Sequence, residues 1–138
     1  MEKLAEQIKR HEGYRDHVYL DNLGNPTCGW GHHLYVESKI NERIAEEFLR
    51  MDIIGTLRSF RESVKPEYRR RLNEARARVI MNMVFNMGIQ SVLGFKKMWA
   101  AIYEGNFNKA ADEMMDSKWA SQVGGRAEEL AGIMRRGQ

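Results

Sequence analysis

The sequence predicts an α+β fold, mostly helical, with a small N-terminal β-hairpin lobe and a larger helical C-terminal lobe. Two observations carry that expectation. The turn formers Asn22-Leu23-Gly24-Asn25-Pro26 separate two short strand-like runs, a hairpin pattern. From Asn41 onward, apolar residues recur at helical spacing in one segment after another. At 138 residues the chain has the length of a single domain, which can still be built as two lobes around a cleft.

Leu4, Ala5 and Ile8 recur at helical spacing through Met1 to Lys9, so a short amphipathic helix opens the chain and ends between His11 and Gly13. Tyr14 to Asp21 is the outgoing strand and Thr27 to His32 the return. Gly29 and Gly31 alternate along that return, removing side chains from one face so that another group can approach the backbone. Asn41 suits the N-cap of a helix carrying Ile44, Phe48 and Leu49 and ending near Gly55.

Pro66 suits a helix start. Val79, Ile80, Met83, Val84 and Met87 form a wide apolar stripe closed by Gly88, marking the core helix. Lys96 to Tyr103 stops at Gly105, Phe107 to Met115 follows, and Ser117 caps a short helix bearing Trp119. Gly124-Gly125 breaks that helix before Arg126 to Arg136. The nine methionines fall mostly at helical apolar positions, as core filler. Trp30 and Trp99 read as packing residues. The expected organisation is one domain over 1–138, with about 12–55 as small lobe and connecting helix and 1–11 plus 56–138 as helical lobe.

With 43% hydrophobic and 30% charged residues, the chain belongs with soluble globular proteins and not with disordered or membrane classes. No apolar run approaches the roughly 20 residues needed to span a bilayer. Met1 to Lys9 alternates charge with apolar residues and lacks a signal-peptide core. The expectation is cytoplasmic synthesis without stable membrane insertion. The lone Cys28 offers no intrachain disulfide and reads as a small packing residue. A net charge of +3 suits a polyanionic partner but does not demand nucleic acid. The densest basic run, Arg69-Arg70-Arg71 with Arg76 and Arg78, reads as a solvated helix face. Nucleic acid is therefore not expected as a partner, and no metal is expected because no Cys cluster or carboxylate spacing surrounds His11 and His33.

Glycosidic hydrolysis needs an acid to protonate the leaving oxygen and a carboxylate to manage water or the sugar cation. Glu12, at a helix end, and Asp21, at the start of the turn, are the natural pair. Each also has an ordinary structural reading, as a helix-end Glu and a turn Asp. Thr27 could open its strand through β-branched propensity alone.

The combination His11-Glu12-Gly13, Tyr19-x-Asp21, Gly24 and Thr27-x-Gly29-x-Gly31-His32 resembles the phage-type lysozymes (endolysins, muramidases) of glycoside hydrolase family 24, its T-even phage members included. The likeness continues through Ile80 to Gly88, Gly94-Phe95, Ser117-x-Trp119 and Arg126-Ala127, so it covers essentially the whole chain. The resemblance implies a lysozyme-like two-lobe fold, a monomer and no cofactor. It implies cleavage of the β-1,4 bond between N-acetylmuramic acid and N-acetylglucosamine in peptidoglycan, by inversion.

In that scheme Glu12 is the general acid, Asp21 assists water and the developing oxocarbenium charge, and Thr27 holds the water. The resemblance makes His32 structural, paired with Asp52, and places Arg126 across the cleft near Glu12. His11 and His33 read as exposed. Phe85, Asn86, Trp119 and Gln122 are candidates to line the glycan groove, although Phe85 and Trp119, as aromatics on helices, read first as core packing. Only seven residues separate His32 from Ile40, a shorter connection than the family carries, which trims one wall of the cleft. The setting this implies is an endolysin that reaches the periplasmic wall once the membrane is permeabilised. A catalytically weak wall-binding module, or one associated with a virion or secretion machine, is the alternative.

Overall fold

In the computed structural model, which describes residues 1–138, helix α1 (Glu2–Glu12) opens the chain. It stops where expected, because Gly13 takes φ 69° and its N–H bonds the Lys9 carbonyl. Strands β1 (Arg15–Leu20), β2 (Pro26–Gly29) and β3 (His32–His33) then form an antiparallel sheet in the order β1-β2-β3. Tyr19 pairs with Thr27 and Leu20 with Pro26, and the register slips between Arg15 and Tyr19.

The return strand is shorter than the sequence suggests and turns back on itself. Cys28 pairs with His32 and Thr27 with His33. The reversal is made at Gly29 (φ 60°) and Gly31 (φ 76°), a backbone region that residues with a Cβ enter only at a cost. The glycines therefore serve a turn as well as an open face.

α2 (Glu42–Ser63) begins at Asn41, whose side chain accepts from the Ile44 N–H at 3.0 Å. It runs through Gly55 instead of stopping there. A helical glycine costs about 1 kcal/mol against alanine, a loss that the burial of Phe60 and Val64 beyond it outweighs at roughly 1.5–3 kcal/mol per large apolar side chain. The chain parts into two compact units, Met1–Ile44 and Ala45–Gln138. α1 thus falls with the sheet and nearly all of α2 with the later helices.

The second unit continues with α3 (Pro66–Arg69), α4 (Glu74–Met87), α5 (Ile89–Leu93), α6 (Lys96–Tyr103), α7 (Phe107–Met115), α8 (Lys118–Val123) and α9 (Gly125–Arg136). Asn73, Asn106 and Ser117 cap α4, α7 and α8 through their side chains. The core is the stripe read on α4 (Val79, Ile80, Met83, Val84) together with Met98, Ile102, Met114 and Met134. α7 packs against α6 and α9, with Ala110 and Ala111 on α7 and Ala127 and Ala131 on α9 all buried. Trp99 is buried, and its indole N–H donates to the Val92 carbonyl at 2.9 Å.

The basic run is not simply a solvated face. Arg76 lies 3.6 Å from the Phe107 ring centroid and donates to the last carbonyls of α9, Met134 at 2.8 Å and Arg135 at 3.2 Å. Asn73 adds a bond to the Gly137 carbonyl. Arg71 covers Tyr103, and Arg78 bonds Glu74 at 2.6 Å. A guanidinium at a helix C-terminus satisfies orphan carbonyls and complements the dipole. Arg76→Met is expected to cost roughly 2–3 kcal/mol, from two charge-assisted bonds and one cation–π contact. Thermal unfolding should show a drop of about 5–10 °C in Tm; an unchanged Tm contradicts the clamp.

Candidate active site

The first unit is built around one buried side chain, Thr27, at 1% exposure. Its hydroxyl donates to the Asn25 carbonyl at 2.8 Å, the same oxygen that accepts the Asp21 N–H at 3.0 Å. A buried hydroxyl needs such a partner. Thr27 thus combines strand pairing with Tyr19 and a direct tie to the turn that carries Asp21.

Asp21 opens that turn as an Asx residue. Its Oδ1 accepts from the Leu23 N–H at 2.9 Å and the Asn25 N–H at 2.8 Å. Oδ2 accepts from the Asn25 side-chain amide at 3.3 Å and lies 3.2 Å from Nε2 of His33. The Asn25 backbone N–H is the main cause holding the Asp21 carboxyl below its ordinary value. Partial desolvation opposes it, and the Asn25 amide, the Leu23 N–H and the His33 charge add to the lowering. Asp21 is therefore held ionised, which suits a base or a stabiliser of positive charge and not a proton donor.

Glu12 is the last residue of α1 and is exposed. A Cβ placed on Gly31 would lie 2.8 Å from Glu12 Oε2 and 3.0 Å from its Cδ, so the carboxyl rests against the backbone where Gly31 has no side chain. The close approach that the glycine spacing predicts occurs here, and the approaching group is the candidate acid. Lys9 sits 4.6 Å over the Trp30 ring, and Tyr14 lies 4.9 Å from it, so Trp30 packs between residues on either side of Glu12.

Gly31→Ala is expected to lose about 1–2 kcal/mol from the positive φ. It should also lower kcat on the order of 100-fold by pushing the Glu12 carboxyl aside. Denaturant titration and initial rates measured together check this; a stability loss with an unchanged rate contradicts the packing role.

In the second unit the expected groove residues separate. Trp119 is buried, and its N–H donates to Asn86 Oδ1 at 2.8 Å, whereas Phe85 is 44% exposed and Gln122 is exposed on α8. Phe85 lines an open groove of about 410 Å³ with Leu49 and Ile53 of α2, Met81 and Asn82 of α4 and Arg126 of α9. Arg126 is fixed by Asn82: Nε and Nη2 donate to Asn82 Oδ1 at 2.9 and 2.6 Å.

His32 is exposed on β3, in the first unit, and Asp52 is exposed on α2, in the second. Two histidines of the first unit meet aspartates: exposed His17 bonds its neighbour Asp16 at 2.8 Å, and His33, read from sequence as exposed and in fact half-buried, meets Asp21 at 3.2 Å. The sequence reading also misses Asn25, which anchors both Asp21 and Thr27, and Asn82, which anchors Arg126. Asn82 precedes Phe85 and Asn86 by three and four residues, a helical-face spacing that marks it. Asn25 carries no sequence signal beyond that of a turn former.

The phage lysozyme family model matches residues 9–138. The "Pre-baseplate central spike protein Gp5" of Enterobacteria phage T4 is 28% identical over 97% of this chain, which spans only 28% of that protein's length. The "Endolysin" of Acyrthosiphon pisum secondary endosymbiont phage 1 is 30% identical over 99% of this chain and 91% of its own. "Probable T4-type lysozyme 1" of Dictyostelium discoideum is 26% identical over 97% of this chain and 94% of its own.

Proposed function

Because the chain belongs to the phage lysozyme family and is thereby a glycoside hydrolase of peptidoglycan, we propose that Glu12, Asp21 and Thr27 carry the reaction. The observation that supports this assignment best is the contrast between the carboxylates. Asp21 is locked by the turn and held as an anion, while Glu12 is exposed, with its carboxyl against bare backbone at Gly31. One group suits charge stabilisation and the other proton delivery.

In this reading Glu12 protonates the oxygen leaving at the bond between N-acetylmuramic acid and N-acetylglucosamine. Asp21 stabilises the oxocarbenium charge and orients the attacking water on the opposite face, giving inversion. Thr27, whose hydroxyl proton is committed to Asn25, keeps its oxygen lone pairs as the acceptor for that water. Phe85 in its groove offers a flat apolar surface to a sugar. Asn86 and Gln122 offer amides for N-acetyl groups, and Arg126 on Asn82 offers a fixed cation for anionic wall components. Trp119 serves by holding Asn86.

The reading extends to a monomer made in the host bacterial cytoplasm that lyses the cell from within after membrane permeabilisation. The similarity to an endolysin along nearly its whole length supports it. No helix is long and apolar enough to cross a membrane. Purified protein should clear chloroform-treated Gram-negative cells; no loss of turbidity at micromolar enzyme overturns the reading. The similarity to a central spike protein favours a second setting, a virion-associated module, in which the chain would be recovered with purified virions and not only in the lysate.

A further inference from the structure

We propose that His33, backed by Tyr35, is a positioning residue for Asp21: it fixes the Oδ2 side of the carboxylate whose Oδ1 side the turn already holds. The proposal rests on the reading that Asp21 serves catalysis.

Oδ1 of Asp21 is committed to two backbone N–H groups at 2.8–2.9 Å, which leaves Oδ2, touched by the turn only through the longer 3.3 Å bond from the Asn25 amide, as the oxygen that can face water or a sugar cation. His33 Nε2 stands 3.2 Å from Oδ2. Its placement is imposed by the sheet, because His33 pairs with Thr27 across β2 and β3, and the Leu34 N–H then bonds the Pro26 carbonyl at 2.8 Å. The other ring nitrogen, Nδ1, lies 2.7 Å from the Tyr35 hydroxyl.

Two protonation states of the imidazole serve the same end. When the ring is neutral and the Tyr35 O–H donates to Nδ1, the ring proton sits on Nε2, facing the carboxylate. When the ring is protonated, Nδ1–H donates to the Tyr35 oxygen and Nε2–H still faces Asp21. The neutral tautomer that turns a lone pair on Nε2 toward an anion is disfavoured. The titratable groups facing His33 are Asp21 from the β1–β2 turn and Tyr35 from the segment after β3. Tyr35 is itself placed by a local turn, in which its N–H bonds Ser38 Oγ at 3.0 Å and its carbonyl accepts the Ser38 N–H. The short connection after His32, which trims the lobe, is thus also what carries the support for Asp21.

The test uses the full chain with His33→Leu, Tyr35→Phe and Asp21→Asn. It reads kcat and KM on soluble peptidoglycan fragments, and the protonation midpoint of the Asp21 carboxyl by ¹³C NMR. His33→Leu is expected to lower kcat about tenfold, the loss for one contact to a charged group, with KM unchanged and the Asp21 midpoint moved up. Tyr35→Phe should give smaller changes in the same directions. A His33→Leu enzyme with unchanged kcat, or one with reduced kcat and an unmoved Asp21 midpoint, overturns the proposal. If His33→Leu does not fold, Tyr35→Phe with unchanged kcat and midpoint overturns it. If the wild type is inactive or Asp21→Asn is fully active, the catalytic reading itself has failed, and the NMR midpoint alone still decides whether His33 acts on Asp21.

Discussion

Glu12→Gln is expected to abolish lysis while leaving the protein folded. Glutamine has the shape of glutamate, the position is exposed at the end of α1, and surface substitutions of this kind usually change stability by less than about 0.5 kcal/mol. The helix stop depends on Gly13 and the Lys9 carbonyl, which the variant leaves in place. What is lost is the proton. An amide cannot protonate the leaving oxygen, and general acid catalysis contributes on the order of 10²–10⁴ in rate. Turbidity clearing should fall by that factor at unchanged Tm; a variant that clears cells at the wild-type rate removes Glu12 from the mechanism.

Asp21→Asn is the second large effect, and it separates charge from geometry. The asparagine Oδ1 can still accept the Leu23 and Asn25 N–H groups that shape the turn, so the hairpin should persist. The negative charge that the proposed mechanism sets beside the sugar is gone, and so is its attraction to His33. A loss of roughly 10²–10³ in kcat is expected, the scale of removing one preorganised electrostatic contact from a transition state.

The same substitution has a signature in acid. Asp21 is held below its ordinary value of 3.8, chiefly by the Asn25 backbone N–H. Its contribution to stability is therefore complete above the unfolded-state pKa and lost as pH falls through the lowered native one. Wild type should lose stability relative to Asp21→Asn as pH drops below about 4, and the two should run parallel above it. Divergence at neutral pH instead would contradict the assigned direction.

Much of the helical unit was legible because its signals are local. Ser117 and Asn41 announce helix starts through their own side chains, Gly13 and Gly88 announce stops, and the α4 stripe announces the core. Gly55 misled because a glycine penalty near 1 kcal/mol is overridden by burial further along the same helix. The two-residue β3 carries no periodicity to detect, and it exists because Gly29 and Gly31 reverse the chain. Leu4 and Ile8 gave the right helix but no buried face, since both stay exposed in the first unit.

Within the candidate site, Glu12 and Asp21 stand out in the sequence only as a helix-end and a turn carboxylate, their proposed roles and that of Thr27 come from likeness to the family, and the glycine pattern foretells a close approach without naming Glu12 as the group that makes it. His33 was not legible: its meeting with Asp21 depends on the register between β2 and β3, which one residue of slip would reverse. Asn25 reads in the sequence as any turn residue, and only the structure gives it four hydrogen bonds to Asp21 and Thr27. Arg126 stands out by likeness to the family, while Asn82 is marked in the sequence by its spacing from Phe85 and Asn86, and its bond to Arg126 follows from the packing of α9 on α4.

The most direct test is digestion of purified peptidoglycan by wild type and Glu12→Gln, with the new reducing ends identified by mass spectrometry and their first-formed anomer by NMR. Wild type should release N-acetylmuramic acid reducing ends, first seen as the α anomer because the β bond is inverted, and Glu12→Gln should release almost none. Reducing ends of N-acetylglucosamine, a first-formed β anomer, or equal release by the variant would contradict the assignment of Glu12 as acid and Asp21 as its partner across the sugar.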